Sequence, residues 1–356
     1  MHRTSKLRTG AMALAVLAPL AGCGAPAERA RHVGTTATPP PAVPGGGVAD
    51  QLQTRYEQVV QTVLPSVVQI TTDLGEGSGV VYDGQGDIVT NAHVVAGAKD
   101  FEVTQVNGGK PLKATLVGTF SADDLAVIKV TGGSLRPARF GDSGPLKVGQ
   151  IVMAMGNPLG RSGSVTQGIV SALGRTVTSK PEGAFRGATI ADAIQTSAAI
   201  NPGNSGGAQV TLTGEVIGIP SAAAVDPELG GAAQGIGFAI PSRTVNRIAP
   251  QLIKTGKVTN SGRAALGVVV RATFDDTGRP TGVGVVRVTR GGPADKAGIK
   301  PGDTITAVNG MPTRSPSDLT EALARLQPGA TVKVDLLRPD GNRSSVQVKL
   351  GELPNS

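Results

Sequence analysis

Between residues 66 and 240, glycine, aspartate and asparagine cut the chain into a dozen short aliphatic runs, and no long helix can be drawn through them. The runs are 67–71, 79–82, 87–90, 101–106, 112–118, 125–130, 151–155, 165–173, 188–195, 209–211, 216–219 and 236–240. Evenly spaced short runs with turn residues between them predict an all-β barrel or sandwich. The 51 glycines and 25 prolines among 356 residues follow no triplet period, which excludes a collagen-like rod. Hydrophobic residues make up 39% of the chain, enough for a sizeable core.

Two helices flank this region. Leu52, Tyr56, Val59 and Val63 recur at helical spacing and predict an amphipathic helix over 51–64. Ser242 reads as the cap of a second helix running to Lys254, with Gly256 as its stop. Residues 255–263 are polar and read as a linker between a domain at 51–254 and a smaller one at 264–354. The smaller domain has strand candidates at 264–271, 284–289, 304–308, 332–338 and 345–350. Its helix follows Ser315-Pro316, a cap with proline in the first turn, and sets Leu319, Leu323 and Leu326 on one face.

The chain starts with Arg3, Lys6 and Arg8, then an apolar stretch at 11–20 that is too short to span a bilayer. It ends Leu20-Ala21-Gly22-Cys23, which resembles the lipobox of bacterial lipoproteins. That resemblance implies removal of residues 1–22 and acylation of Cys23. Residues 23–50, rich in Pro, Thr and Gly, read as a disordered tether. Without the signal the formal charge falls from +8 to +5. Acyl chains rather than this charge would hold the protein to the membrane.

Rare residues narrow the chemistry. Cys23 is the single cysteine, so neither an intramolecular disulfide nor a Cys-rich metal site can form. The absence of Trp, with two Tyr and six Phe, argues against nucleic-acid binding by base stacking. No phosphate-binding Gly-x-x-x-x-Gly-Lys-Ser/Thr run occurs, so no ATP motor is implied. No cofactor or metal is expected. Of three histidines, His2 and His32 fall in the leader and the tether, which leaves His93 as the one candidate for imidazole chemistry.

Three segments then combine. His93 lies in Asn91-Ala92-His93-Val94-Val95, Asp123-Asp124 opens the run 125–130, and Ser205 lies in Asn201-Pro202-Gly203-Asn204-Ser205-Gly206-Gly207. Each alone has an ordinary structural reading. Together they offer a nucleophile, a base to take its proton, and a carboxylate to orient the base. The glycines suit a tight loop whose Gly203 and Ser205 N–H groups can face a developing oxyanion.

With Gly77-Ser78-Gly79, Met155-Gly156-Asn157-Pro158 and Gly235-Ile236-Gly237-Phe238 in the same order, residues 66–254 resemble the protease domain of the HtrA (Deg) family of trypsin-like serine proteases. The resemblance implies a mainly β, chymotrypsin-like double β-barrel of two six-stranded barrels with the site between them. His93 is then the general base, Asp124 its partner, Ser205 the nucleophile, and Gly203 and Ser205 the oxyanion hole. Asp123 is the less favoured carboxylate, on the argument that neighbouring strand residues face opposite ways. Ala199 and Ile200 are placed in the specificity pocket, with the small residues Ser221-Ala222-Ala223-Ala224 as its other wall and Asp226 the nearest acid to that wall. Ser197 and Ala208 stand where the family usually has Asp and Pro.

Residues 264–350 resemble the family's α+β PDZ domain, with Ala265, Leu266, Gly267 and Val268 as its carboxylate-binding loop. The resemblance implies an envelope endopeptidase, anchored on the extracytoplasmic face of the cell membrane, that cuts misfolded or specific proteins and binds peptide C-termini. It also implies a homotrimer, which nothing in this chain by itself demands. The rival reading is a chaperone or peptide-sensing scaffold with little proteolysis. The leader carries its own prediction: Cys23→Ser should move the protein from the membrane to the soluble fraction, and an unchanged membrane fraction would sink the lipoprotein reading.

Overall fold

A computed structural model describes residues 47–354, apart from 159–162, 180, 182, 202, 223, 226–234 and 276. The export signal with Cys23, the tether up to residue 46, and Asp226 lie outside the described residues. The first helix, α1 (Val48–Val63), begins three residues before the periodicity placed it and buries Val59 and Val63.

The short runs become strands. β1 (Val67–Thr72), β2 (Glu76–Val81), β3 (Asp87–Thr90), β4 (Phe101–Gln105), β5 (Leu112–Phe120) and β6 (Leu125–Val130) close a barrel in the order β1-β2-β3-β6-β5-β4. Between β3 and β4 sits the one-turn helix α2 (Ala92–Val95). β7 (Ile151–Gly156), β8 (Ser164–Ser179), β9 (Ala188–Thr196), β10 (Ala208–Thr211), β11 (Val216–Pro220), β12 (Ala224–Val225) and β13 (Gly237–Pro241) form a second sheet. Its order is β12-β8-β7-β10-β11-β13-β9, and β8 also pairs with β9, so six of these strands close a second barrel. The double β-barrel expected from the sequence is therefore present. Its strands look apolar throughout because both faces are covered. All four residues of β3 and all five of β11 are buried.

The helix α3 (Ser242–Thr255) packs on the barrels, with Val245, Ile248 and Leu252 fully buried. Its start corrects the expected cap. Pro241 occupies the N-cap position and makes no side-chain bond, while Ser242 lies inside the helix and donates its hydroxyl to Gly141 O at 2.8 Å. Gly256 ends the helix as expected, in the left-handed region at φ 67°.

Residues 256–263 are held closely for a linker. Val258, Ser261 and Arg263 are buried, and the Gln251 side chain accepts from the N–H groups of Thr259 and Asn260. Beyond them the expected single strand at 264–271 is broken at Leu266-Gly267 into β14 (Ala264–Ala265) and β15 (Val268–Phe274). β15 edges a sheet with β16 (Pro280–Val288), β17 (Thr304–Val308), β19 (Thr331–Leu337) and β20 (Arg343–Lys349). β18 (Met311–Pro312) pairs with β17, and β21 (Gly351–Glu352) with β14. Two helices complete this domain, α4 (Pro293–Lys296) and α5 (Pro316–Ala324). Ser315 caps α5 in a capping box with Asp318, as its sequence signals. Among the described residues no helix is long and apolar enough to cross a membrane.

Leu252 joins α3 to the core shared by the two barrels. Leu252→Ala should cost about 2–5 kcal/mol of stability by urea unfolding of the full chain. An unchanged midpoint would show that α3 contributes little to that core.

Candidate active site

His93 is the second residue of α2, and a 3₁₀ turn at Ser121–Asp123 delivers the carboxylate that meets it. Asp124 follows the turn in the left-handed region, at φ 54° and ψ 40°. Aspartate tolerates that region better than most side chains. Asp124 is the aspartate that meets His93, and the alternation argument used to choose it over Asp123 does not apply. Neither residue lies in a strand, and the left-handed twist is what sends the two side chains apart.

Asp124 is fully buried and its carboxylate is well supplied with donors. Oδ1 accepts from the His93 backbone N–H at 3.0 Å, and Oδ2 lies 2.8 Å from His93 Nδ1. Ser221 Oγ donates to Oδ2 at 2.9 Å. Asn91 anchors the same turn by donating Nδ2–H to Asp124 O at 3.0 Å. A carboxylate gripped this way fixes the imidazole with Nδ1–H toward Asp124 and leaves Nε2 free to accept a proton. Phe185 packs against the ring at 5.9 Å between centroids. Sequence reasoning missed both helpers: it read Ser221 only as pocket wall, and Phe185 carried no signal.

Ser205 is nearly buried, and its Oγ accepts from the Ala222 N–H at 2.9 Å. No His93–Ser205 hydrogen bond occurs among the described residues, so the hydroxyl must turn from Ala222 toward His93 before it can attack. Ser205, His93, Gly203 and Ala222 line one cleft of about 350 Å³, with Leu74 and Glu76 on its rim. Gly203 has φ 101°, and neither its N–H nor that of Ser205 donates to any acceptor among the described residues. Two free donors beside a nucleophile are what an oxyanion hole requires. Gly206, at φ 80°, is constrained by packing rather than by substrate, since a Cβ there would lie 2.2 Å from Ser78 O.

Ala199 and Ile200 do not line this cleft. Ile200 lies against Gly237, where an added Cβ would come within 2.4 Å of its Cγ1, and Ala199 O accepts from Thr166 Oγ1 at 2.8 Å. Ser197 uses its hydroxyl to accept from the Ile169 N–H, and Ala208 is buried in register with Met155. In the smaller domain, Gly267 has φ 73°, and the Leu266 and Gly267 N–H groups have no acceptor among the described residues. Ala265 is paired with Gly351, while Val268 opens the edge strand β15. Among the described residues no cluster of His, Cys, Asp and Glu is arranged to hold a metal.

The other aspartate of the pair also has a partner. Asp123 is buried and ion-paired with Arg263 Nη1, which also donates to Thr189 O at 2.6 Å. Burial pushes the Asp123 carboxyl above the usual range, against the pull of the nearby Arg263 and Arg247.

Comparison with known proteins matches both halves of the chain. Residues 77–219 match the trypsin-like peptidase domain and residues 264–350 the PDZ domain. Serine protease PepD of Mycobacterium tuberculosis is 40% identical over 380 residues, covering 98% of this chain and 78% of that protein. A probable periplasmic serine endoprotease DegP-like from Ectopseudomonas mendocina is also 40% identical, over 284 residues, and the chain spans 56% of its length. Among solved structures, the HtrA-type protease AlgW with decapeptide superposes with a TM-score of 0.55 at 32% identity, over 85% of this chain and 99% of that one. The serine endoprotease from Yersinia pestis gives 0.54 at 34% identity, over 84% and 98%.

Ser221→Ala deletes one donor to a buried carboxylate. At about 1.5 kcal/mol for a hydrogen bond to a charged group, labelling of Ser205 by a fluorophosphonate should slow roughly ten-fold. An unaltered labelling rate would mean that Asp124 is held well enough without Ser221.

Proposed function

This chain belongs to the family of HtrA-type and DegP-like serine endoproteases, which join a trypsin-like domain to a PDZ domain, and from that premise we propose how its own residues act. His93 Nε2 takes the Ser205 proton as Oγ attacks the scissile carbonyl. The Gly203 and Ser205 N–H groups receive the resulting oxyanion. His93 then passes its proton to the leaving amine as the C–N bond breaks. Water, deprotonated by the same imidazole, releases the acyl group and restores Ser205. The observation that carries this reading is His93, paired with the buried Asp124, in one cleft with Ser205 and with two backbone donors that have no acceptor among the described residues.

The substrates are unfolded or misfolded proteins of the cell envelope. The edge of β15 and the free N–H groups of Leu266 and Gly267 receive a peptide C-terminus by strand addition. Acylated Cys23 holds the enzyme on the outer face of the cytoplasmic membrane, and the name of the DegP-like relatives supports an envelope location.

Ile200 lies outside the described cleft, and the family resemblance assigns it to the specificity pocket, where its side chain against Gly237 would supply an apolar wall. A cation buried there without a partner would cost several kcal/mol, whereas an aliphatic side chain gains about 0.8 kcal/mol per methylene. Purified protein should therefore cleave β-casein, mainly after Val, Ala, Ile or Leu, and Ser205→Ala should abolish cleavage. A wild type as inert as Ser205→Ala, with both suppressing aggregation, would replace the protease reading by the chaperone one. A majority of cuts after Lys or Arg would overturn the pocket assignment alone.

A further inference from the structure

Arg263 belongs to one domain by its backbone and to the other by its side chain. Its carbonyl accepts from the Leu353 N–H at 2.7 Å, and its N–H donates to Ser261 Oγ, which in turn donates to Leu353 O. The following residues, Ala264 and Ala265, pair with β21. Leu266 and Gly267, the proposed carboxylate loop, come directly after. The PDZ domain's own terminal strand thus fixes the Arg263 main chain. The guanidinium points the other way, into the protease, and bridges the Asp123 carboxylate to Thr189 O on β9.

Asp123 is the last residue of the 3₁₀ turn, and Asp124 is the next residue in the chain. Asp124 sits at a positive φ that only its surroundings can enforce. Its carbonyl side is held by Asn91 and by the Ala92 N–H, and its carboxylate by His93 and Ser221. On the amino-terminal side the side-chain anchor is Arg263 on Asp123.

The pair is poorly explained as a source of stability. Both residues are more than nine-tenths buried, and Arg263 Nε is buried without a partner among the described residues. A buried ion pair that leaves a donor unsatisfied recovers little of its desolvation cost. What it does provide is direction, since one nitrogen, Nη1, is held between the Asp123 carboxylate and Thr189 O at the end of a planar group.

We propose that Arg263 is a positioning residue for the reaction, a strut from the PDZ domain that holds the Asp123 end of the turn and so sets where Asp124 meets His93. This rests on the protease reading above. Arg263 touches no substrate, and its effect reaches the reacting atoms through Asp123, Asp124 and His93.

The test uses the full chain and four variants: Arg263→Met, Arg263→Lys, Asp123→Asn, and Asp123→Asn with Arg263→Met. Three quantities are read: kcat and KM on a fluorogenic peptide, the rate at which a fluorophosphonate labels Ser205, and the urea midpoint. Arg263→Met should lower kcat and the labelling rate ten-fold or more while KM moves less than two-fold. Arg263→Lys should recover part of the loss, because the ammonium keeps its charge near Asp123 but ends one atom short of the place where Nη1 meets both Asp123 and Thr189 O. In the double variant no charge is left buried alone, so the midpoint should recover while kcat stays low. A merely structural pair would let stability and kcat recover together, and that result overturns the proposal. So does wild-type kcat in a folded Arg263→Met or Arg263→Lys. If Arg263→Met does not fold, the lysine and double variants decide. A wild type that the probe does not label sinks the protease reading itself. A wild type and an Arg263→Met labelled equally fast sink only the strut.

Discussion

The fully buried carboxylate of Asp124 is the constraint around which the protease half is arranged. A carboxylate removed from water is tolerable only when its lone pairs are filled, and the chain fills them from distant segments. The His93 N–H and Nδ1 come from α2, and the Ser221 hydroxyl follows β11. Satisfying one buried acid brings the two barrels together at the point where a histidine and a serine must face each other. The same bonds favour the His93 tautomer with Nδ1–H toward Asp124, so an arrangement demanded by burial is also the one the proposed mechanism needs.

The nucleophile loop is tied to the other barrel by a single buried serine. The Ser78 N–H on β2 donates to Ser205 O at 2.9 Å, and its hydroxyl donates to Gly203 O while accepting from the Asn157 N–H. Thr90, three residues before His93, donates its hydroxyl to Ser78 O. The residues flanking His93 and Ser205 therefore share one hydrogen-bonded node. With those carbonyls turned toward Ser78, the Gly203 and Ser205 N–H groups have no acceptor among the described residues. That costs folding energy and leaves two donors open to a substrate.

Much of this was legible in the residues. Alternating turns and aliphatic runs pointed to a barrel or sandwich, the HtrA resemblance implied the double barrel, and the short motifs picked out His93, Asp124 and Ser205 as candidates. The illegible parts all depend on partners far away in the sequence. Ser242 has the composition of a cap, yet its hydroxyl is claimed by Gly141, a hundred residues earlier. Ser221 looks like pocket wall until Asp124 is placed beside it. Asp123 and Asp124 are the same residue type in adjacent positions, and only a left-handed backbone separates their roles. No local pattern encodes that turn, because the tertiary contacts on both sides enforce it.

The segment 256–263 shows why composition misjudges a junction. Lys, Thr, Asn, Ser and Gly read as a solvated linker because the same side chains serve equally well in water or against protein acceptors. Here they are used against protein. Gln251 reaches out from α3 to hold Thr259 and Asn260, and Glu352 holds Ser261 and Gly262 from the far end of the chain. With both ends bonded to opposite domains, the segment cannot act as a free hinge. A displacement of the PDZ terminal strand must either break these bonds or move Arg263 with it. Since the Arg263 guanidinium ends on the residue beside Asp124, such a displacement reaches the turn that carries the carboxylate bonded to His93.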